Sequence, residues 1–256
     1  MNGEEALLLR HAEDGVVTLT LNRPAQFNAL STELLDALQK ELEKVGADMT
    51  ARVVVIAGSG RAFCAGHDLK QMRANHAQAY MQALFKQCGR VMTLLTELPQ
   101  PTIARVHGVA TAAGCQLVAS CDLAVAAEGA RFAVSGINVG LFCSTPAVAL
   151  SRNMGRKQAL EMLLTGDFID AGEAQRRGLV NRVCPADALD AEVKRLTDSI
   201  VAKSPTAIRM GKQLFYRQLE MGLAGAYQLA GETMACNMMT ADAVSGIDGF
   251  ISKIKR

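Results

Sequence analysis

The sequence predicts an α/β fold with a helical appendage, and three observations carry that prediction. Short apolar strands alternate with helical patterns through roughly the first 185 of the 256 residues, and helices alone follow. In the strand read at residues 52–57, RVVVIA, the run after Arg52 is continuously apolar, as expected of a strand covered on both faces. The stretch TIARVHGVATAAGCQLVASCDLAV at residues 102–125 has the grammar of a buried strand feeding a helix through a glycine-bearing turn.

Taken in order, Val17, Leu19 and Leu21 alternate along a strand at 16–21, which ends in the turn Asn22-Arg23-Pro24. Ser31 caps a helix whose apolar positions Leu34, Leu35, Leu38, Leu42 and Val45 fall at helical spacing, and Glu33 suits the positive end of its dipole. The strand at 52–57 leads into a loop, GSGRAFCAGHDLK. A dinucleotide fingerprint would need glycine where Phe63 stands, and a phosphate loop would need Gly-Lys-Ser/Thr where Gly66-His67-Asp68 stands. Both patterns fail. A long helix over 76–97 carries Met81, Leu84, Cys88, Val91 and Leu95 on one stripe and stops before Pro99 and Pro101.

In the 102–125 stretch, Ile103, Ala104 and Val106 form the strand, His107-Gly108 breaks it, and a helical run begins at Gln116-Leu117-Val118. The small residues Ala112, Ala113 and Gly114 let backbone come close to something. The first N–H groups of a helix lack intrahelical partners, so a carbonyl oxygen or an oxyanion can sit there. The same small residues would also serve to pack a helix tightly on a sheet, and the turn alone does not decide between the two. Strands at 123–127 and 131–134 and a loop, SGINVGLFCSTP, come next. Helices over 157–164 and 171–177, a strand at 180–183, helices over 187–203, 205–220 and 223–239, and a terminal helix from 240 to near 253 complete the chain. No linker, low-complexity tract or internal sequence repeat interrupts it.

Composition narrows the function. Half the residues are apolar, only 4% are aromatic and Trp is absent, which implies closely packed layers of Ala, Val, Leu and Met. A net charge of +2 gives no broad cationic surface, so nucleic acid is excluded as a partner. Seven cysteines without C-x-x-C or paired His spacing argue against zinc and disulfide frameworks and for a reducing compartment. The first fifteen residues read as neither a signal peptide nor a transit sequence. No uncharged apolar run reaches 18 residues, so no membrane partner is expected. A cytoplasmic site is the default, with a mature mitochondrial form left open.

The loop AFCAGHDLK, the turn ATAAGCQLVASCDLAVA, the N-terminal VVTLTLNRPAQFNAL and the closing DAVSGIDGFISK together resemble the crotonase superfamily, the enoyl-CoA hydratase and isomerase family. The resemblance spans essentially the whole chain. It implies a crotonase-type ββα spiral core over residues 1–200 that binds a coenzyme A thioester, and a helical C-terminal trimerisation region over 201–256. It implies a homotrimer or a hexamer built as a dimer of trimers. It implies no cofactor, coenzyme A being part of the acyl-CoA or enoyl-CoA substrate. The thioester oxygen would lie between the backbone N–H groups of His67 and Ala113, with the His67 imidazole outside the chemistry. Ala65, Gly66 and Leu69 resemble residues lining the adenine and pantetheine path, Asp68 stands among them in a mainly structural part, and Arg23 would meet the nucleotide end. Phe250 and Lys253 resemble residues that complete the CoA site of a neighbouring subunit. For Arg23 and Lys253 a solvated charge is the competing reading.

The departure from the family pattern matters most. Its hydratases use two glutamates, which carry over to Gln116 and Gly136 here, and its isomerases place a carboxylate near the position of Ser144. An amide has no accessible proton-accepting state at neutral pH, and glycine has no side chain. Ordinary hydration is therefore not expected. Polar candidates for a replacement are Ser135, Asn138, Cys143, Ser144 and His107. Two functions remain open: an enzyme of lyase or isomerase type that works through the oxyanion hole on an acyl-CoA of fatty acid or acyl-CoA metabolism, and a non-catalytic acyl-CoA-binding or scaffold homologue.

Overall fold

The computed structural model of the chain describes residues 6–254. The first five residues, part of the N-terminal segment read above for targeting, lie outside the described residues. The elements in order are β1 (Leu8–Glu13), β2 (Val16–Leu21), α1 (Thr32–Ala47), β3 (Val53–Gly58), β4 (Ala62–Cys64), α2 (Leu69–Ala74), α3 (Gln78–Glu97), β5 (Thr102–Val106) and β6 (Val109–Thr111). There follow α4 (Ala113–Ser120), β7 (Leu123–Ala127), β8 (Arg131–Ala133), a 3-10 turn (Ser135–Val139), α5 (Ser144–Asn153), α6 (Arg156–Thr165), β9 (Ile169–Asp170) and α7 (Ala171–Arg176). The chain closes with β10 (Arg182–Cys184), α8 (Leu189–Val201), α9 (Pro205–Leu219), α10 (Leu223–Met238) and α11 (Ala241–Ile254).

A six-stranded sheet runs in the order β1-β2-β3-β5-β7-β10, and a four-stranded sheet in the order β4-β6-β8-β9. The β1–β2 and β8–β9 pairs are antiparallel and the other pairs are parallel. The chain therefore visits the large sheet, then the small sheet, then a helical layer, and repeats this as β3-β4-α2/α3, β5-β6-α4 and β7-β8-α5. This is the ββα spiral. The repetition lives in the backbone path, which is why no sequence repeat announces it.

The central strands are buried on both faces. Val54, Ile56, Ala104 and Ala126 face the main core with Val17, Leu19 and Leu21, while Val53, Val55, Ile103 and Val125 pack under Leu189 and Val193 of α8. That arrangement explains the continuous apolar run read from β3. Ser31 caps α1 by accepting the Leu34 N–H at 3.2 Å, and Leu34, Leu35, Leu38, Leu42 and Val45 are buried as their spacing predicted.

Four expectations need correction. The segment read as the loop GSGRAFCAGHDLK contains β4 and the start of α2, because three-residue strands are too short to show a period. The helix after the glycine turn begins at Ala113 rather than at Gln116. The segment SGINVGLFCSTP contains a 3-10 turn and the start of α5, a helix absent from the sequence reading; Pro146 masks it, yet proline is tolerated within a first helical turn. The strand expected at 180–183 runs over Arg182–Cys184. The sequence reading also passed over β1, β6 and β9.

A buried polar cluster bolts the C-terminal helices to the core. Lys212 on α9 donates to Asp122 Oδ2 at 2.7 Å and to the carbonyls of Leu95 at 2.8 Å and Gln100 at 2.9 Å, which uses all three ammonium protons. Tyr216 donates its hydroxyl to Asp122 Oδ1 at 2.7 Å. The outer faces of α9, α10 and α11 are apolar and exposed, with Phe215, Leu223, Met234, Met239 and Phe250 all more than half accessible. No helix among the described residues is long and apolar enough to cross a membrane.

Candidate active site

The loop between β4 and α2 is positioned by backbone pairing with residues 27–30. Ala65 N–H donates to the Phe27 carbonyl at 3.0 Å, Leu30 N–H to Gly66 O at 2.7 Å, and Asp68 N–H to Leu30 O at 3.2 Å. The N–H of His67, between these, donates to no protein acceptor among the described residues. Asn28, which the sequence reading passed over, holds this loop in register. It is fully buried with a left-handed φ of 55°, and its amide nitrogen donates to the carbonyls of Ser59 and Ala62 at 2.8 Å and of Phe63 at 3.1 Å. A polar residue at the entrance of an apolar helix was the available signal.

The second donor comes from the start of α4. Ala112 adopts φ 50° and ψ −121°, a region that costs a residue with a Cβ about 1–3 kcal/mol. Its N–H is anchored on the Ala133 carbonyl at 3.0 Å. The strained peptide turns the next N–H, that of Ala113, to the open end of the helix, where it too meets no protein acceptor among the described residues. Gly66, at φ 91°, brings the two segments together: a Cβ there would stand 2.8 Å from Ala112 Cβ and 3.2 Å from Ala113 N. Gly114 does the same one residue on, since a Cβ would overlap the Cys64 carbonyl. The small residues of the turn thus serve close packing and leave two N–H groups free on neighbouring segments.

Asp68 caps α2, its Oδ1 accepting the N–H groups of Lys70 and Gln71 at 3.1 Å each, and its Oδ2 accepts Arg23 Nη2 at 2.9 Å. Burial opposes its ionisation, but the Gln71 N–H and the Arg23 guanidinium outweigh that and hold the carboxyl below its usual range. Arg23 also donates to the Ala29 carbonyl at 2.5 Å and is largely buried, so it is not a solvated charge. Ala65 and Gly66 line this loop and Leu69 is exposed. Phe250 and Lys253 lie exposed on α11, which packs on α10.

The opposite side of the turn carries the residues in question. Gln116, one helical turn after Ala113, is 4% exposed, and its side-chain oxygen finds no partner among the described residues. Gly136 lies in the 3-10 turn, where a Cβ would stand 2.5 Å from the Leu141 carbonyl oxygen and 2.8 Å from Cys143 Sγ. This position lacks a carboxylate and also lacks room for one. Ser144 is exposed at the start of α5, and its hydroxyl donates to the Phe142 carbonyl. The His67 imidazole packs edge-on against Phe85 with ring centroids 5.5 Å apart, and burial lowers its pKa, so it is neutral near pH 7. His107 Nε2–H donates to the Gly60 carbonyl at 2.9 Å.

No group of three or more His, Cys, Asp or Glu side chains among the described residues is arranged to hold a metal ion. A cleft of about 710 Å³ opens between α8 and the outer face of the large sheet, lined by His11, Thr18, Thr20, Arg105 and Lys194 among others. Several of its charges are paired with each other, as Arg105 with Asp190 and Lys194 with Asp198, and it includes none of the candidate site residues.

The sequence pattern of the enoyl-CoA hydratase/isomerase family matches residues 11–256. A crystal structure described as an enoyl-CoA hydratase of Mycobacterium smegmatis superposes with a TM-score of 0.96 at 59% identity, covering 97% of each chain. The crystal structure of human enoyl Coenzyme A hydratase domain-containing protein 3 superposes with a TM-score of 0.94 at 41% identity, covering 97% of this chain and 98% of that one. The mitochondrial enoyl-CoA hydratase domain-containing protein 3 of Xenopus laevis is 45% identical over 249 residues, 97% of this chain and 85% of that protein. With the spiral fold and the paired backbone donors in place, the chain belongs to the enoyl-CoA hydratase/isomerase family of the crotonase superfamily.

Proposed function

We propose that this protein binds an acyl-CoA or enoyl-CoA thioester with its carbonyl oxygen between the N–H groups of His67 and Ala113, and that it processes the thioester by stabilising negative charge on that oxygen. The observation that carries this reading is the pair of unengaged N–H groups on segments that Gly66 and Gly114 hold in contact. Two preorganised donors at a developing oxyanion are worth a few kcal/mol in an enolate-like transition state. Coenzyme A enters as part of the substrate, and no separate cofactor is required.

Hydration of the ordinary kind is not the reaction we assign. Gln116 cannot act as a general base, and the space beyond Gly136 is filled by Leu141 and Cys143. A lyase or isomerase reaction of acyl-CoA metabolism, one that passes through an enolate and asks for less proton transfer, fits better. The filled space also favours a second reading, in which the chain holds an acyl-CoA without turning it over. The exposed apolar faces of α9 to α11 support assembly as a trimer or a dimer of trimers, with Phe250 and Lys253 reaching a neighbour's CoA site. The free thiols suit a reducing compartment, whether cytoplasm or mitochondrial matrix.

Calorimetry with butyryl-CoA and with its thioether analogue, which lacks the carbonyl oxygen, tests the reading. The thioester is expected to bind about tenfold or more tightly, as hydrogen bonds worth ~1 kcal/mol each predict. Ala113→Pro, which removes one of the two donors, should reduce the difference. Equal affinities in the unaltered protein would contradict the assignment, and tight binding without turnover of any CoA thioester would select the second reading.

A further inference from the structure

The space beside Gly136 is occupied by a group that can move a proton. Cys143 closes the loop that begins at Gly136. That loop is drawn tight by Leu141 N–H donating to Gly136 O and Gly140 N–H donating to Ile137 O, both at 3.0 Å, with Gly140 left-handed at φ 78°. The Cys143 sulfur stands 2.8 Å from where a Cβ on Gly136 would lie. It therefore fills the volume into which a side chain at position 136 would grow. The loop is tied to the oxyanion turn at two points, through the Thr111 and Ser135 hydroxyls 2.8 Å apart and through Ala112 N–H on the Ala133 carbonyl.

We propose that the Cys143 thiol exchanges a proton with the α-carbon of the bound thioester, in the place where Gly136 supplies no carboxylate. The proposal rests on the oxyanion reading above. A second observation points to a ligand at this spot: Gln116, 4% exposed, keeps an unpartnered side-chain oxygen on the first turns of α4, and helical side chains lean back toward the N-terminus, here toward Ala113. The other polar groups of the loop are engaged or face outward, Asn138 being exposed. Ser135 pairs with Thr111, and Ser144 faces outward onto the Phe142 carbonyl.

The chemistry balances without a further reactant. With an enolate held by His67 and Ala113, the enolate electron pair forms the new α-C–H bond as the S–H bond breaks. The resulting thiolate regains its proton from water. In reverse, the thiolate removes the α-proton while the electron pair moves onto the carbonyl oxygen. Burial raises the Cys143 pKa, only partly offset by the Gly136 N–H, so the resting group is the protonated thiol. Its titratable neighbour Cys115 is pushed up to about 12 by burial and stays a thiol as well.

The test is deuterium incorporation at the α-carbon of butyryl-CoA in heavy water, read by mass spectrometry beside calorimetry on the same samples. The unaltered protein should catalyse exchange, at a rate that rises with pH above neutrality as thiolate forms. Cys143→Ala and Cys143→Ser should bind butyryl-CoA as before and lose exchange by about a hundred- to ten-thousand-fold, the usual worth of one acid-base group. Cys143→Asp should retain part of the exchange with its pH profile displaced to lower pH, a shift that a packing role would not produce. Exchange undiminished in Cys143→Ala, or binding without exchange in the unaltered protein, would overturn the proposal and leave the oxyanion reading standing. Failure to bind butyryl-CoA would overturn both.

Discussion

The two sides of the oxyanion turn are built to different standards. On the donor side, Gly66, Ala112 and Gly114 are each fixed by a close approach or a left-handed backbone, Asn28 locks the facing loop with three donated hydrogen bonds, and Asp68 and Arg23 tie its far end. On the facing side, an amide stands with a bare oxygen, a glycine has no room to become anything larger, and a buried thiol fills the gap. On the proposed reading, grip on a thioester and proton transfer are separable properties of one fold, the first assigned to the donor side and the second to Cys143.

Substitutions can break this contrast in a graded way. The largest effect is expected from Gly114→Val, whose side chain would overlap the Cys64 carbonyl and push the two donor segments apart. Its cost should exceed the ~1–3 kcal/mol of ordinary overpacking, read as a lowered urea midpoint, and thioester preference should vanish with it. Next comes Ala113→Pro. Proline removes the N–H, but the ψ of −121° at Ala112 is one that a residue before proline avoids, so a lowered urea midpoint should accompany a fall in any turnover of about a hundred- to a thousandfold.

The facing side can be challenged by rebuilding it. The double variant Gln116→Glu with Gly136→Glu should fail to hydrate crotonyl-CoA above the level of the unaltered protein, because the second side chain would meet Leu141 O and Cys143 Sγ. A gain of about a hundredfold or more in a spectrophotometric assay would show that the space opens readily and that only the carboxylates were missing.

The smallest effect concerns pH. Burial lowers the pKa of His67 and of His107 below the unfolded value of about 6.5, so the unfolded chain binds more protons in the window below it. Stability contributed by the neutral imidazoles is complete above that value and is lost as pH falls. Urea unfolding at pH 7.5 and 5.5 should show the loss, and His67→Gln should reduce it. The depressed carboxylates, Glu33 with a pKa of about 2 among them, are lost only further down.

Much of this was legible in the chain, for physical reasons that differ by region. The central strands and α1 declared themselves because burial on both faces or one face imposes a composition, as in Val53 to Ile56 and the Leu34 to Val45 stripe. Strands of three residues such as β4 and β6 left no period to read, and α5 was hidden by a proline within its first turn. The donor turn was visible as small residues, yet the positive φ of Ala112 was not, because nothing local forces an alanine there. The substitutions at Gln116 and Gly136 could be read by position. That Cys143 fills the space beside Gly136 could not, since it depends on how a seven-residue excursion folds back on itself.

The position of a bound thioester carbonyl is the most direct test of the donor pair. A crystal structure with butyryl-CoA is expected to place that oxygen about 2.7–3.1 Å from both His67 N and Ala113 N, the spacing of an oxyanion hole. A carbonyl oxygen bound away from both donors, or held by the Gln116 amide instead, would contradict it.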